Sequence, residues 1–179
     1  MLSIFYNLNI EIIILFNVIL SLSVCLINKK FNNHRYYNSF LIICIIIFLV
    51  LVFSVTLLFR EENPTSSNIS LIPFNSYYLV AHGMKEMIRE SILNILFFYP
   101  FGFLFGNLNV DKINSKRWMI IPISCALSFI IELSQYIFKL GYAEVDDVIH
   151  NTLGCAIGLL MCILLERLFK IKKDGKSDE

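Results

Sequence analysis

Residues 39–59, SFLIICIIIFLVLVFSVTLLF, carry no charged side chain over a length that matches the hydrocarbon core of a bilayer. Such a segment has few ways to fold. With no water at membrane depth, its backbone N–H and C=O groups must pair within the segment, as a helix. Four further stretches are comparably long and apolar: 8–27, 91–108, 118–138 and 149–169. Asn9, Glu11 and Asn17 dilute the first of these, but no basic residue precedes Lys29, so it lacks the charged n-region of a secretory signal and is read as a span. Composition agrees. A chain of 179 residues that is 57% hydrophobic and 16% charged has more apolar surface than a soluble globule of that size can bury. The expected fold is all-α: a polytopic membrane helix bundle of about five transmembrane helices plus a short interfacial helix.

The basic residues orient this bundle. Eleven of the fifteen fall in residues 28–38, residues 109–117 and the tail from Arg167. By the positive-inside rule those segments face the cytoplasm, which predicts a multi-pass plasma-membrane protein with its N-terminus outside and its C-terminus inside. Three regions are expected: 1–38, a first span and basic loop; 39–169, the main transmembrane domain; and 170–179, a charged cytoplasmic tail. The long connection 60–90 begins with the turn-rich ENPTSSN. Its residues 77–90 alternate apolar and charged positions as an interfacial helix would.

Polar residues inside the spans carry the functional signal. A carboxylate within a span costs on the order of 2.5–3.5 kcal/mol at mid-helix, so it should face the bundle interior or a water-filled cavity. Steps of four and three residues place Ser124, Ser128, Glu132 and Gln135 or Tyr136 on one face of the fourth span. Asp147, Asn151, Gly154 and Gly158 share a face of the fifth, with "GCAIG" as a close-packing stripe directed toward Glu132. Asp146 and Asp147 also suit the positive start of that helix, where capping is a sufficient role for one of them. Asn94 lies before Pro100, where a packing kink is expected beside Gly102 and Gly106. Asn94, Glu132, Gln135, Asp146, Asp147 and Asn151 therefore converge on the outer leaflet as candidate binding residues.

Other chemistries find little support. A net charge of +1 with no basic-aromatic stripe argues against nucleic acid. The five cysteines lie in apolar runs without ligand spacing, His82 and His150 read as surface or capping residues, and no metal or cofactor is expected. No nucleophile arrangement or phosphate loop is present, so catalysis is left uncertain and a non-enzymatic role is favoured. The alternatives are acid–base work by Glu132 and Asp147 on an envelope lipid or lipid-linked precursor, and ion-coupled transport, which five spans without a repeat make less attractive.

"SLIPF", "LNILFFYPFGFLFG", "IELSQ" and "VDDVIHNTLGCAIG", in that order, resemble the motif series of the VanZ-like membrane proteins over about residues 40–165. That resemblance implies a link to low-level resistance to teicoplanin, a glycopeptide with a lipid tail that acts on lipid-linked precursors at the outer membrane face. The implied partners are a membrane lipid and a lipid-linked cell-wall precursor or lipoglycopeptide. It implies no catalytic activity and leaves the oligomeric state open.

Overall fold

A computed structural model describes residues 9–30, 34–58, 69–84, 86–108 and 116–169. The ENPTSSN turn, most of the basic loop 109–117 and the tail 170–179 lie outside the described residues. The elements are α1 (Ile10–Lys30), α2 (His34–Phe53) continuing into a π-helical turn (Ser54–Leu58), β1 (Ile69–Ser70) and α3 (Asn75–Ala81). There follow α4 (Glu86–Gly106), a 3₁₀ turn (Arg117–Met119) leading into α5 (Ile120–Ile137), β2 (Ala143–Glu144) and α6 (Val145–Leu168). Five helical segments, α1, α2, α4, α5 and α6, are long and apolar enough to cross a membrane, so the chain is a multi-pass membrane protein.

Two boundaries differ from the sequence-based expectation. The helix expected over 77–90 is split: α3 spans 75–81, Gly83 turns the chain at φ 100°, and Glu86 opens α4. A positive φ is left-handed backbone that glycine adopts without strain, and an acid suits a helix start. Likewise α6 begins at Val145 rather than 149, so Asp146 and Asp147 lie in its first turn.

The most extensive helix contact is between α4 and α6, and glycine makes it possible. A Cβ on Gly102 would collide with the Cys155 carbonyl, one on Gly154 with the Ile95 carbonyl, and one on Gly158 with the Tyr99 carbonyl. Each helix thus presents a small-xxx-small stripe to the other: Gly102 on α4 and Gly154 and Gly158 on α6 meet backbone, and Gly106 meets the Leu159 and Cys162 side chains. The GCAIG stripe therefore faces α4, not the Glu132-bearing helix as the sequence suggested. Periodicity identifies a face but not which neighbour it meets.

Pro100 sits inside α4, which continues past it. Proline has no N–H for the carbonyl four residues back, at Leu96. Asn17 of α1 supplies the missing donor, its Nδ2 reaching the Leu96 oxygen at 3.0 Å. One turn along, Ser21 Oγ pairs with Tyr99 Oη at 2.8 Å. The polar residues that dilute the first span are thus its clasp on α4. One apolar cluster joins α1, α2 and α4 around Val24, Leu41 and Phe103; a second packs Phe98, Phe101, Ile131 and Leu159 beneath the polar end. Ile46, Val50, Phe129 and Leu160 are exposed, as a lipid-facing surface requires. At the opposite end Arg117 and Glu166 join the start of α5 to the end of α6 at 2.7 Å.

Gly154→Val should destabilise the protein by about 1–3 kcal/mol or more, since backbone cannot yield as a side chain does. Leu160→Val, on the lipid face, should stay within about 0.5 kcal/mol. Thermal unfolding in detergent compares the two.

Candidate functional site

At the end of the bundle where α4 and α6 begin and α5 finishes, three helices turn polar side chains toward one another. On α5, Ser124, Ser128, Glu132 and Gln135 are buried while Tyr136 is exposed, which fixes the polar face. Glu132 is 6% and Asp147 7% exposed. Asn94 Nδ2 donates to Asp147 Oδ1 at 2.7 Å, tying α4 to α6. Asn151 Nδ2 donates to Ser128 Oγ at 2.8 Å, tying α6 to α5. Gln135 Nε2 lies 3.4 Å from the Thr56 carbonyl in the π-helical turn, which brings α2 to the same place. These residues wall a cavity of about 40 Å³ lined by Asn94, Glu132, Gln135, Asp147 and Asn151, with Thr56, Leu93, Phe97, Phe98 and Ile131 completing it. A water needs roughly 10–15 Å³, so the space admits about three water-sized groups.

The sixth candidate, Asp146, is not among the residues that line this cavity. Its carboxylate instead accepts the backbone N–H of Phe74 at 2.5 Å and of Ser76 at 2.7 Å. It caps α3 from across the fold, where sequence reasoning assigned it to its own helix start or to the binding set. Phe74, left-handed at φ 64°, opens α3 without a side-chain cap of its own, so an acceptor from elsewhere is needed. His150 is also buried rather than on the surface, with Nε2 3.0 Å from Tyr77 Oη. Together with the parallel pairing of Ile69–Ser70 to Ala143–Glu144, these contacts bind residues 69–81 as a strap across the start of α6. Gly141, at φ 146°, belongs to the turn between α5 and β2. Beyond it the Glu144 N–H donates to Glu132 Oε2 at 3.0 Å, which joins the strap's partner strand to the cavity wall.

Thr56, Leu93, Phe97, Phe98 and Ile131 are lining residues that the sequence did not assign to the site, and Ser128, expected on the polar face of α5, supports it through Asn151. Thr56 had a signal, a lone hydroxyl residue near the end of an uncharged run. Phe97 had none. An acceptor-lined space of this kind can hold water, hydroxyl or cationic groups. Among the described residues, no cluster of three or more His, Cys, Asp or Glu side chains is arranged to hold a metal ion.

Fold and site together define a polytopic helical membrane protein with a buried polar cluster at one end of its bundle. A family model described as VanZ/LLP1 matches residues 38–166, and the chain belongs to that family. It is 35% identical over 85 residues to "Protein VanZ" of Enterococcus faecium, covering 48% of this chain and 51% of that protein. The chain thus spans about half the length of the curated relative it matches. No solved structure matches it.

Removing the Asp146 cap should free the strap. A hydrogen bond to a charged group contributes about 1.5–3 kcal/mol, and Asp146 accepts two. Asp146→Ala is expected to speed amide hydrogen exchange over residues 74–81 by tenfold or more, whereas Asp147→Asn leaves that exchange unchanged.

Proposed function

We propose that this protein binds the polar part of an amphiphile or cell-envelope lipid at the outer leaflet, and thereby lowers susceptibility to glycopeptides of the teicoplanin type. The observation that carries the reading is the convergence of Asn94, Glu132, Gln135, Asp147 and Asn151 on one cavity near the end of the bundle. Buried acids and amides at that depth are costly unless they serve packing or a ligand. The glycine stripes already bring α4 and α6 together without them.

The outward location rests on charge. Lys29, Lys30, Arg35, Lys116, Arg117 and Arg167 belong to the end opposite the cavity, which the positive-inside rule assigns to the cytoplasm. The N-terminus is then outside and the C-terminus inside. Family membership supports the resistance role, because "Protein VanZ" of Enterococcus faecium is among the relatives of this chain. The cavity is far smaller than a glycopeptide, so it would receive one small polar group rather than the whole molecule.

Cells making the wild-type protein should tolerate more teicoplanin than cells making Glu132→Gln or Asp147→Asn at equal membrane levels. Identical susceptibility in all three would remove the site from the function. Lipid and precursor extracts are expected to have the same mass profile with and without the protein. A new mass dependent on Glu132 would favour catalysis instead.

A further inference from the structure

The strap has the composition of a span rather than of a loop. Residues 69–81, ISLIPFNSYYLVA, contain no charged side chain, although Arg60, Glu61 and Glu62 precede them and Lys85, Glu86 and Arg89 follow. Its large apolar side chains face away from the bundle: Leu71 is 70%, Ile72 68% and Phe74 59% exposed, with Tyr77 and Tyr78 exposed beside them. A contiguous row of exposed apolar residues marks a contact surface.

The position of the strap on α6 identifies what meets that surface. Leu153, Ile157, Leu160 and Leu164 recur at helical spacing and are exposed, so they mark the face of α6 turned to lipid. His150 is the next position of the same stripe toward the polar end, yet it is buried. Tyr77 covers it, with Oη 3.0 Å from Nε2 and ring centroids 5.7 Å apart. Phe74 sits beside Tyr77, their ring centroids 6.1 Å apart. The strap therefore overlies the end of a face that lipid covers elsewhere, and its own exposed residues continue that face.

The backbone agrees. Hydrocarbon offers no acceptor to an N–H, so a chain at membrane depth must satisfy its donors within the protein. Pro73 has no N–H to satisfy. From Phe74 through Tyr78 every backbone N–H has a protein acceptor: the Asp146 carboxylate for Phe74 and Ser76, and the carbonyls of Ile72 and Phe74 for Asn75, Tyr77 and Tyr78. The first turn of a helix ordinarily leaves such donors to a side-chain cap or to water. Adjacent tyrosines suit the boundary between headgroups and acyl chains.

We infer that the strap is a membrane-inserted segment: Leu71, Ile72 and Phe74 lie against the acyl chains of the leaflet at the polar end, with Tyr77 and Tyr78 at its rim. The partner of this surface is bilayer lipid, not a second protein. The strap also reaches the cavity, since β1 pairs with β2 and the Glu144 N–H holds Glu132. Lipid contact at the strap thus bears on the cavity wall. The inference needs only the multi-pass fold and stands whatever the cavity receives.

Fluorescence quenching in vesicles tests it. Trp118 is the only tryptophan in the sequence, so Leu71→Trp in a Trp118→Phe background reports on the strap alone. Ile72→Trp is the second reporter should the first fail to fold, and Leu160→Trp is the lipid-facing reference. The full chain is reconstituted in dioleoyl-phosphatidylcholine or in the same lipid brominated along its acyl chains, with acrylamide as the water-soluble quencher. Leu71→Trp should lose the same fraction of its emission to brominated chains as Leu160→Trp. Acrylamide should quench both far less than it quenches N-acetyl-tryptophanamide in buffer. Strong quenching by acrylamide with none by brominated chains would place the strap in water and overturn the inference. Shielding from both quenchers would mean that another protein copy covers the strap, and would overturn it too.

Discussion

Everything at the polar end depends on the backbone-to-backbone approach of α4 and α6. Gly102, Gly154 and Gly158 leave no room for a Cβ, so the two helices meet at the distance that carbonyl oxygens allow. In lipid there is no hydrophobic drive between helices, and close van der Waals packing must hold them. That spacing places Asn94 within hydrogen-bond reach of Asp147 on the facing helix. It also fixes where Asn151 meets α5 through Ser128. A wider separation would leave the amide and the acid each facing hydrocarbon, so the packing and the polar cluster are one arrangement.

The remaining polar residues divide by what they satisfy. Asn17 completes the carbonyl that Pro100 leaves open, and it does so from another helix. Asp146 and His150 hold the strap of residues 69–81, and Glu132 receives the backbone of β2. Gln135 Oε1, in the cavity wall, is buried with no hydrogen-bond partner among the described residues. Among the described residues, most of the buried polarity thus joins helices, turns and the strap to one another.

The spans were legible because twenty apolar residues in a row permit one solution, and the five expected segments are the five spanning helices. The inward faces of α5 and α6 followed from helical periodicity, down to the choice between Gln135 and Tyr136 that burial resolves. Partners were not legible. The glycine stripe of α6 meets α4 rather than α5, and Asp146 caps a helix seventy residues earlier in the chain. The motif SLIPF gave no local reason for its residues. Its Phe74 and the following Ser76 make sense only once Asp146 is beside them. Long-range pairing of this kind leaves no periodic trace, and neither did Phe97, an aromatic among many in α4.

The joint enclosure of α4 and α6 residues is tested most directly by cysteine cross-linking in native membranes. Asn94 and Asp147 would be replaced together by cysteine in a chain whose five native cysteines are alanine. Mild oxidation should link the two positions in high yield, seen as a disulfide-joined peptide by mass spectrometry, while a pair at 94 and 160 stays unlinked. Equal linkage in both pairs, or none at 94 and 147, would contradict the chamber on which the account stands.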